Sequence, residues 1–176
     1  MTQVKISILL FFFILSGCKD TITLSSSSLV IGTVSDESQA LGLGTYLILQ
    51  FKIEALPEEI PYDDPLLQTH VLLIKDSVTI SDSFGRGPFG WNGQLAADFE
   101  NTEIFATFLY QNFEVYSGET GRSQKLMEID FDKMVVFVRY TQMVGEKFRS
   151  NELAFSKDEI RQAIQQNKIA VQLGVD

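Results

Sequence analysis

Apolar residues fall on alternate positions through most of this chain. Between Thr45 and Ala55, the positions Thr45, Leu47, Leu49, Phe51 and Ile53 share one face and Gln50, Lys52 and Glu54 the other. That period of two marks a strand with one side in water. Leu72, Ile74, Val78 and Ile80 repeat the pattern opposite Lys75, Ser77 and Thr79, and Met127, Ile129 and Phe131 alternate with Glu128, Asp130 and Asp132. From Ile104 to Tyr110 and from Met134 to Tyr140 both faces are apolar, as in strands covered on two sides. Short runs of small and polar residues, such as 117–121, separate these segments as hairpin loops do. One segment changes period. Ser156 and Glu159 have capping-box spacing, Phe155 and Ile160 stand where a hydrophobic staple closes, and Ile160, Ala163 and Ile164 line one helical face. The spacing predicts a helix from Lys157 to near Asn167, then a last strand through Ile169, Val171 and Leu173. The whole reads as a mainly β fold of six to eight strands. Two architectures fit: an antiparallel β-sandwich, or an α+β sheet with one C-terminal helix across a face.

The first residues break the alternation. Lys5 precedes a run from Ile6 to Leu15 that is apolar except for Ser7, followed by the small residues Ser16 and Gly17, which are the parts of a secretory signal. Such a run spans about 15 Å as a helix, half of a hydrocarbon core of roughly 30 Å, and is too short for a permanent span. At the junction, Leu15-Ser16-Gly17-Cys18 resembles the lipobox of bacterial lipoproteins at every position. The resemblance implies that residues 1–17 are a signal peptide, and that Cys18 becomes the first mature residue. In that class the cysteine sulfur carries diacylglycerol and its amino group is usually acylated, a palmitate-type anchor. Lys19 stands where an acidic residue holds many such lipoproteins at the inner membrane, so the same resemblance implies the outer membrane. Residues 18–28 are polar and end in four serines, which predicts a lipidated cysteine and a flexible tether. Residues 29–176 then form a single β-rich domain.

Charge narrows the partners. Lys and Arg number 14 against 23 Asp and Glu, a net charge of −9 at pH 7, and the basic residues are not clustered. Nucleic acid is therefore excluded as a partner, because phosphate contacts need clustered cations. Adhesion to anionic lipid is disfavoured for the same reason, which leaves acyl chains to hold the protein at its membrane. Cys18 is the only cysteine, so no internal disulfide forms and the domain depends on its apolar core.

Candidate chemistry is sparse. His70 is the only histidine, no serine elbow or phosphate-binding loop accompanies it, and it reads as a structural residue at the start of a strand. Asp130 and Asp132 with Glu128, and Asp98, Glu100 and Glu103 before the next strand, are the carboxylates from which an acid pair for glycan hydrolysis would be drawn. They read equally as solvated outer positions. Glu54, Glu58, Glu59, Asp63 and Asp64 crowd a stretch with Pro57, Pro61 and Pro65. That is a stiff, negative connection with oxygen donors of the calcium type but without EF-hand spacing. From Phe84 to Gly93, four glycines and a proline surround Phe84, Phe89 and the only tryptophan, Trp91, and predict an irregular loop. Phe84, Arg86, Phe89 and Trp91 are the candidate binding residues if the aromatics face a partner; the alternative folds Phe89 and Trp91 inward as a plug. Nothing in the chain calls for a cofactor or a metal. The expected function is an envelope binding module with a protein or glycan partner, with an acid-pair glycan hydrolase as the other reading.

Overall fold

The computed structural model describes residues 22–34, 42–58, 60, 66–90, 104–117, 122–142, 145–166 and 168–169, with the backbone alone for 26, 86–90, 117, 142, 145–147 and 168–169. The strands are β1 (Thr23–Val34), β2 (Gly44–Ala55), β3 (Leu67–Lys75), β4 (Val78–Gly90), β5 (Phe105–Gln111), β6 (Glu114–Ser117), β7 (Arg122–Lys125), β8 (Lys133–Gln142), β9 (Gly145–Arg149), β10 (Leu153–Ser156) and β11 (Lys168–Ile169). One helix, α1 (Lys157–Gln166), follows β10. The fold is mainly β and antiparallel, with a single C-terminal helix among the described residues. Nine strands form one hydrogen-bonded sheet: eight follow the order β10-β8-β3-β4-β5-β2-β1-β11, and β9 pairs with residues 139–142 of β8, beyond the stretch that pairs with β10; β6 and β7 make a separate hairpin.

That path folds over at β4. From Val78 to Gly85 this strand pairs with β3, and from Arg86 to Gly90 it pairs with β5. One strand thus serves two sheets, a corner of the kind that bends and bulges make. Gly85 makes the corner possible. A Cβ there would lie 2.4 Å from the Thr107 Cγ2 and 3.0 Å from the Leu109 Cδ2, so only glycine lets the three strands meet. Behind it the hydroxyls of Thr69 and Thr107, both fully buried, bond to each other at 2.9 Å. A register shift between Arg86 and Phe89 takes up Gly87 and Pro88, and a bulge is where a strand tolerates proline.

The two inner faces share one core. Leu29, Ile31, Leu47, Leu49, Phe51 and Phe105 come from the β1-β2-β5 side, and Leu67, Val71, Leu73, Met134, Val136 and Val138 from the β3-β8 side. Full burial of each such side chain contributes about 1.5–3 kcal/mol. Opposite the corner, α1 closes the gap between the edges, placing Ile160 and Ala163 in the same core. Asn151 completes the closure: its Oδ1 accepts the Leu24 N–H at 2.7 Å and its Nδ2 donates to the Leu24 carbonyl at 3.0 Å. This carboxamide stands in for the strand that β1 lacks there.

Several expectations hold. β2 occupies the predicted span, and α1 begins at Lys157 behind a complete capping box. The Ser156 Oγ accepts the Glu159 N–H at 3.2 Å, and a Glu159 oxygen accepts the Ser156 N–H at 2.7 Å. Other expectations are corrected. Thr23 to Ser28 are not tether but the start of β1, because Ile22 and Leu24 are buried and Ser28 is held opposite Gln50. Leu72 to Ile80 is a hairpin, not one strand: Asp76 and Ser77 take left-handed φ of 49° and 66° and reverse the chain. Met127 to Asp132 is not a strand either. Leu126–Glu128 form a 3₁₀ turn, and the residues after it are fixed by the bonds Asp132 N–H to Ile74 O and Lys157 N–H to Asp132 O. Nor is β2 wet on one whole side, since Tyr46 and Ile48 form a second small core with Val34, Ala106 and Phe108. The final strand is present as β11, parallel to β1; Val171 and Leu173 lie outside the described residues.

Candidate functional site

Alternation on β3 sends Val71 and Leu73 inward and therefore His70 outward. There the register places it directly between Phe84 of β4 and Phe137 of β8, the positions at which cross-strand side chains touch. The imidazole meets the Phe84 ring edge-on at 4.4 Å between centroids and stacks on Phe137 at 5.2 Å and 11°. The Arg149 guanidinium carbon sits 3.8 Å from the far side of the Phe137 ring, a cation over a negative ring face. Each aromatic contact contributes about 0.5–1.5 kcal/mol beyond burial. His70 is buried beneath this row, with its Nδ1 3.5 Å from the Asp82 carboxylate.

Phe84 ends the row in water. It is 63% exposed, and Val78 and Ile80 of the same strand are 62% and 45% exposed. An exposed ring on a sheet face, with Asp82 two positions along its strand and Arg149 on the neighbouring Phe137, has the composition of a contact surface.

Beside β4 lies a cavity of about 430 Å³, and Phe84 also contributes to its lining; the volume is within the range of small-molecule sites. Val71 and Leu109 form its apolar part, and Ser83 and Tyr110 place hydroxyls in it. These hydroxyls lie 3.5 Å apart, and the Ser83 Oγ is 3.4 Å from the Val71 carbonyl, contacts at the far limit of hydrogen bonding. Burial pushes the Tyr110 phenol up to about 12, so it is a neutral donor at pH 7. The β6–β7 hairpin borders the opening. Its Val115 points into the core while Glu114 and Tyr116 alternate outward, opposite Lys125 and Ser123. Tyr116 is 66% exposed, and Glu114 is paired with Lys125 at 2.7 Å.

The sequence candidates fare unequally. Phe84 is exposed and central to the outer row. The segment expected to be an irregular loop is strand as far as Gly90, a correction caused by the bend at Gly85 and the bulge at Gly87-Pro88. Arg86 and Phe89 are placed by backbone only, opposite Phe108 and Ala106 of β5. Trp91, and with it the choice between contact and plug, lies outside the described residues, as do Cys18, the signal, Asp98, Glu100, Glu103, Glu59, Asp63 and Asp64. His70 is structural, as expected, although within the sheet and not at its end.

Asp130 and Asp132 do not make an acid pair. Both bind the Lys75 ammonium, at 3.3 and 3.1 Å. The Asp76 N–H, at 2.8 Å, and then Lys75 hold the Asp132 carboxyl below its ordinary value, the opposite of what a general acid needs. Sequence reasoning missed Phe137, Arg149, Ser83, Tyr110 and Tyr116. The apolar run containing Phe137 looked covered on both faces, and the cavity joins strands distant in sequence. Among the described residues no group of His, Cys, Asp and Glu is arranged to hold a metal ion, and no helix is long and apolar enough to cross a membrane.

The chain matches no protein-family model, no curated protein and no solved structure.

Proposed function

We propose that this chain is a lipid-anchored protein of the bacterial envelope, held at the outer membrane through Cys18, that works as a binding module and not as an enzyme. The observation that carries the reading is Phe84, a large ring left 63% exposed on top of a built row of His70, Phe137 and Arg149. An exposed aromatic held rigid by its neighbours loses little entropy on docking, and this is how binding hot spots are made. The lipobox-like junction supports the address, and the negative chain supports an uncharged or basic partner over nucleic acid.

Photo-crosslinking in intact cells tests it, with p-benzoylphenylalanine at position 80 or 84 and, as control, in place of Gln162 on the exposed face of α1. Discrete crosslinked products at 80 and 84 but not at 162 are expected. Equal labelling at all three sites, or none, refutes the binding face. Cys18→Ser is expected to move the protein from the membrane to the soluble fraction; unchanged partitioning refutes the anchor.

A further inference from the structure

We propose that the cavity between β4 and the β6–β7 hairpin binds a neutral saccharide, of mono- or disaccharide size, with Tyr116 as the platform for its sugar ring. The inference rests on the binding-module reading and names a ligand for the cavity that Phe84 helps to line. The aromatic comes first. Tyr116 stands 66% exposed beside the opening, and nothing in the core needs it, since Val115 already serves the core from the same strand. The negative face of such a ring attracts the polarised C–H groups that line one side of a pyranose.

The polar groups match the rest of such a ligand. Ser83 and Tyr110 offer hydroxyls that both donate and accept, and their present contacts, at 3.4 and 3.5 Å, are long. A sugar hydroxyl between them would make O–H···O bonds of about 2.7–2.8 Å to each. Ser123 stands opposite Tyr116 in the hairpin, and Glu114 has one oxygen on Lys125 and a second that is free to accept from a ligand. This mixture of donors and acceptors around an aromatic suits a polyhydroxyl molecule. Charge then selects among sugars. Glu114 and Lys125 cancel each other beside the opening, so neither an amino sugar nor an acidic one gains a counter-ion, and each would have to break that pair to find one.

The experiment titrates the full-length lipidated protein, in a detergent without a sugar headgroup, with cellobiose and N,N′-diacetylchitobiose, and with glucosamine and glucuronate as charged comparators. Calorimetry or saturation-transfer NMR reads the binding. The expected result is saturable binding of at least one neutral disaccharide and weaker binding of both charged sugars. Tyr116→Ala should bind about tenfold more weakly and Tyr116→Phe within about twofold of wild type. Ser83→Ala, which removes one hydroxyl, should weaken binding by about fivefold. Failure of both neutral disaccharides to saturate, preference for a charged sugar, or full affinity in Tyr116→Ala overturns the proposal. Crosslinking at position 80, outside the cavity lining, reports on the binding face independently. If it persists while no sugar binds, the saccharide site alone is refuted and the binding module stands.

Discussion

Gly85→Ala is the sharpest perturbation this fold offers, because a single methyl group is placed where two sheets exchange a strand. The new Cβ would sit 2.4 Å from the Thr107 Cγ2 and 3.0 Å from the Leu109 Cδ2, with the Thr69 Cβ at 3.6 Å. Threonine has no flexible end to move aside. Rotating Thr107 to withdraw its methyl also swings its hydroxyl off Thr69, breaking the buried 2.9 Å bond between them. Overpacking costs about 1–3 kcal/mol, and loss of the hydrogen bond adds about 0.5–1.5 kcal/mol. The variant should therefore lose about 2–4 kcal/mol in urea denaturation followed by circular dichroism, at about 2–4 °C of melting temperature per kcal/mol. A partner mutation identifies the cause. Thr107→Ser deletes the offending methyl and keeps the hydroxyl; alone it should cost about 0.5–1.5 kcal/mol. Combined with Gly85→Ala it should restore stability, with a coupling of at least about 1 kcal/mol. If Gly85→Ala unfolds within about 0.5 kcal/mol of wild type, or if the two costs simply add, the steric account of the corner is wrong.

Three further outcomes follow from single contacts. Ser156→Ala removes the acceptor for the Glu159 N–H and should cost about 0.5–2 kcal/mol, read as a lower melting temperature with far-UV helix signal reduced. Tyr110, held neutral by burial, should be one of five tyrosines that ionises late, near 12. Its native value lies above the unfolded one, so the stability it gives is complete below about 10 and is lost as pH rises toward 12; ultraviolet titration of Tyr110→Phe should lack the late step. Asp132 has the opposite sign: its native value is lowered by the Asp76 N–H and Lys75. The stability it confers is present above the ordinary carboxylate value of about 4 and disappears as pH falls through the lowered one. Asp132→Asn should therefore flatten the acid limb of the stability curve, and an acid limb identical to wild type would contradict that pairing.

Local signals were legible in the sequence and non-local ones were not. The capping box at Ser156 and Glu159 and the alternation of β2 depend on residues a few positions apart, so they could be read directly. The corner could not. Glycines and a proline from Gly85 to Gly90 normally mark a loop, and only Thr69 and Thr107, distant in sequence, show that the glycine makes room for a strand crossing between sheets. The turn at Asp76-Ser77 lacks the glycine that a tight hairpin prefers; the Asp132 carboxylate, bonded to the Asp76 N–H at 2.8 Å, ties it down instead. For the candidate site, Phe84 was visible because it is a large aromatic in a glycine-rich setting. Phe137, Arg149, Ser83 and Tyr110 acquire meaning only through register, which decides who stands beside His70 and who faces the cavity.

The closure at Leu24 sets an order of events during synthesis. β1 is among the first segments to emerge, yet its bonds to Asn151 span 127 positions, and its parallel partner β11 comes later still. A ribosome or translocation channel delivers the chain N-terminus first, so β1 can find β2 early but keeps its other edge open until Asn151 and then β11 arrive. Chains cut short before Asn151 would hold that edge open permanently and should be found with holding chaperones or in aggregates, whatever the quality of the strands already made.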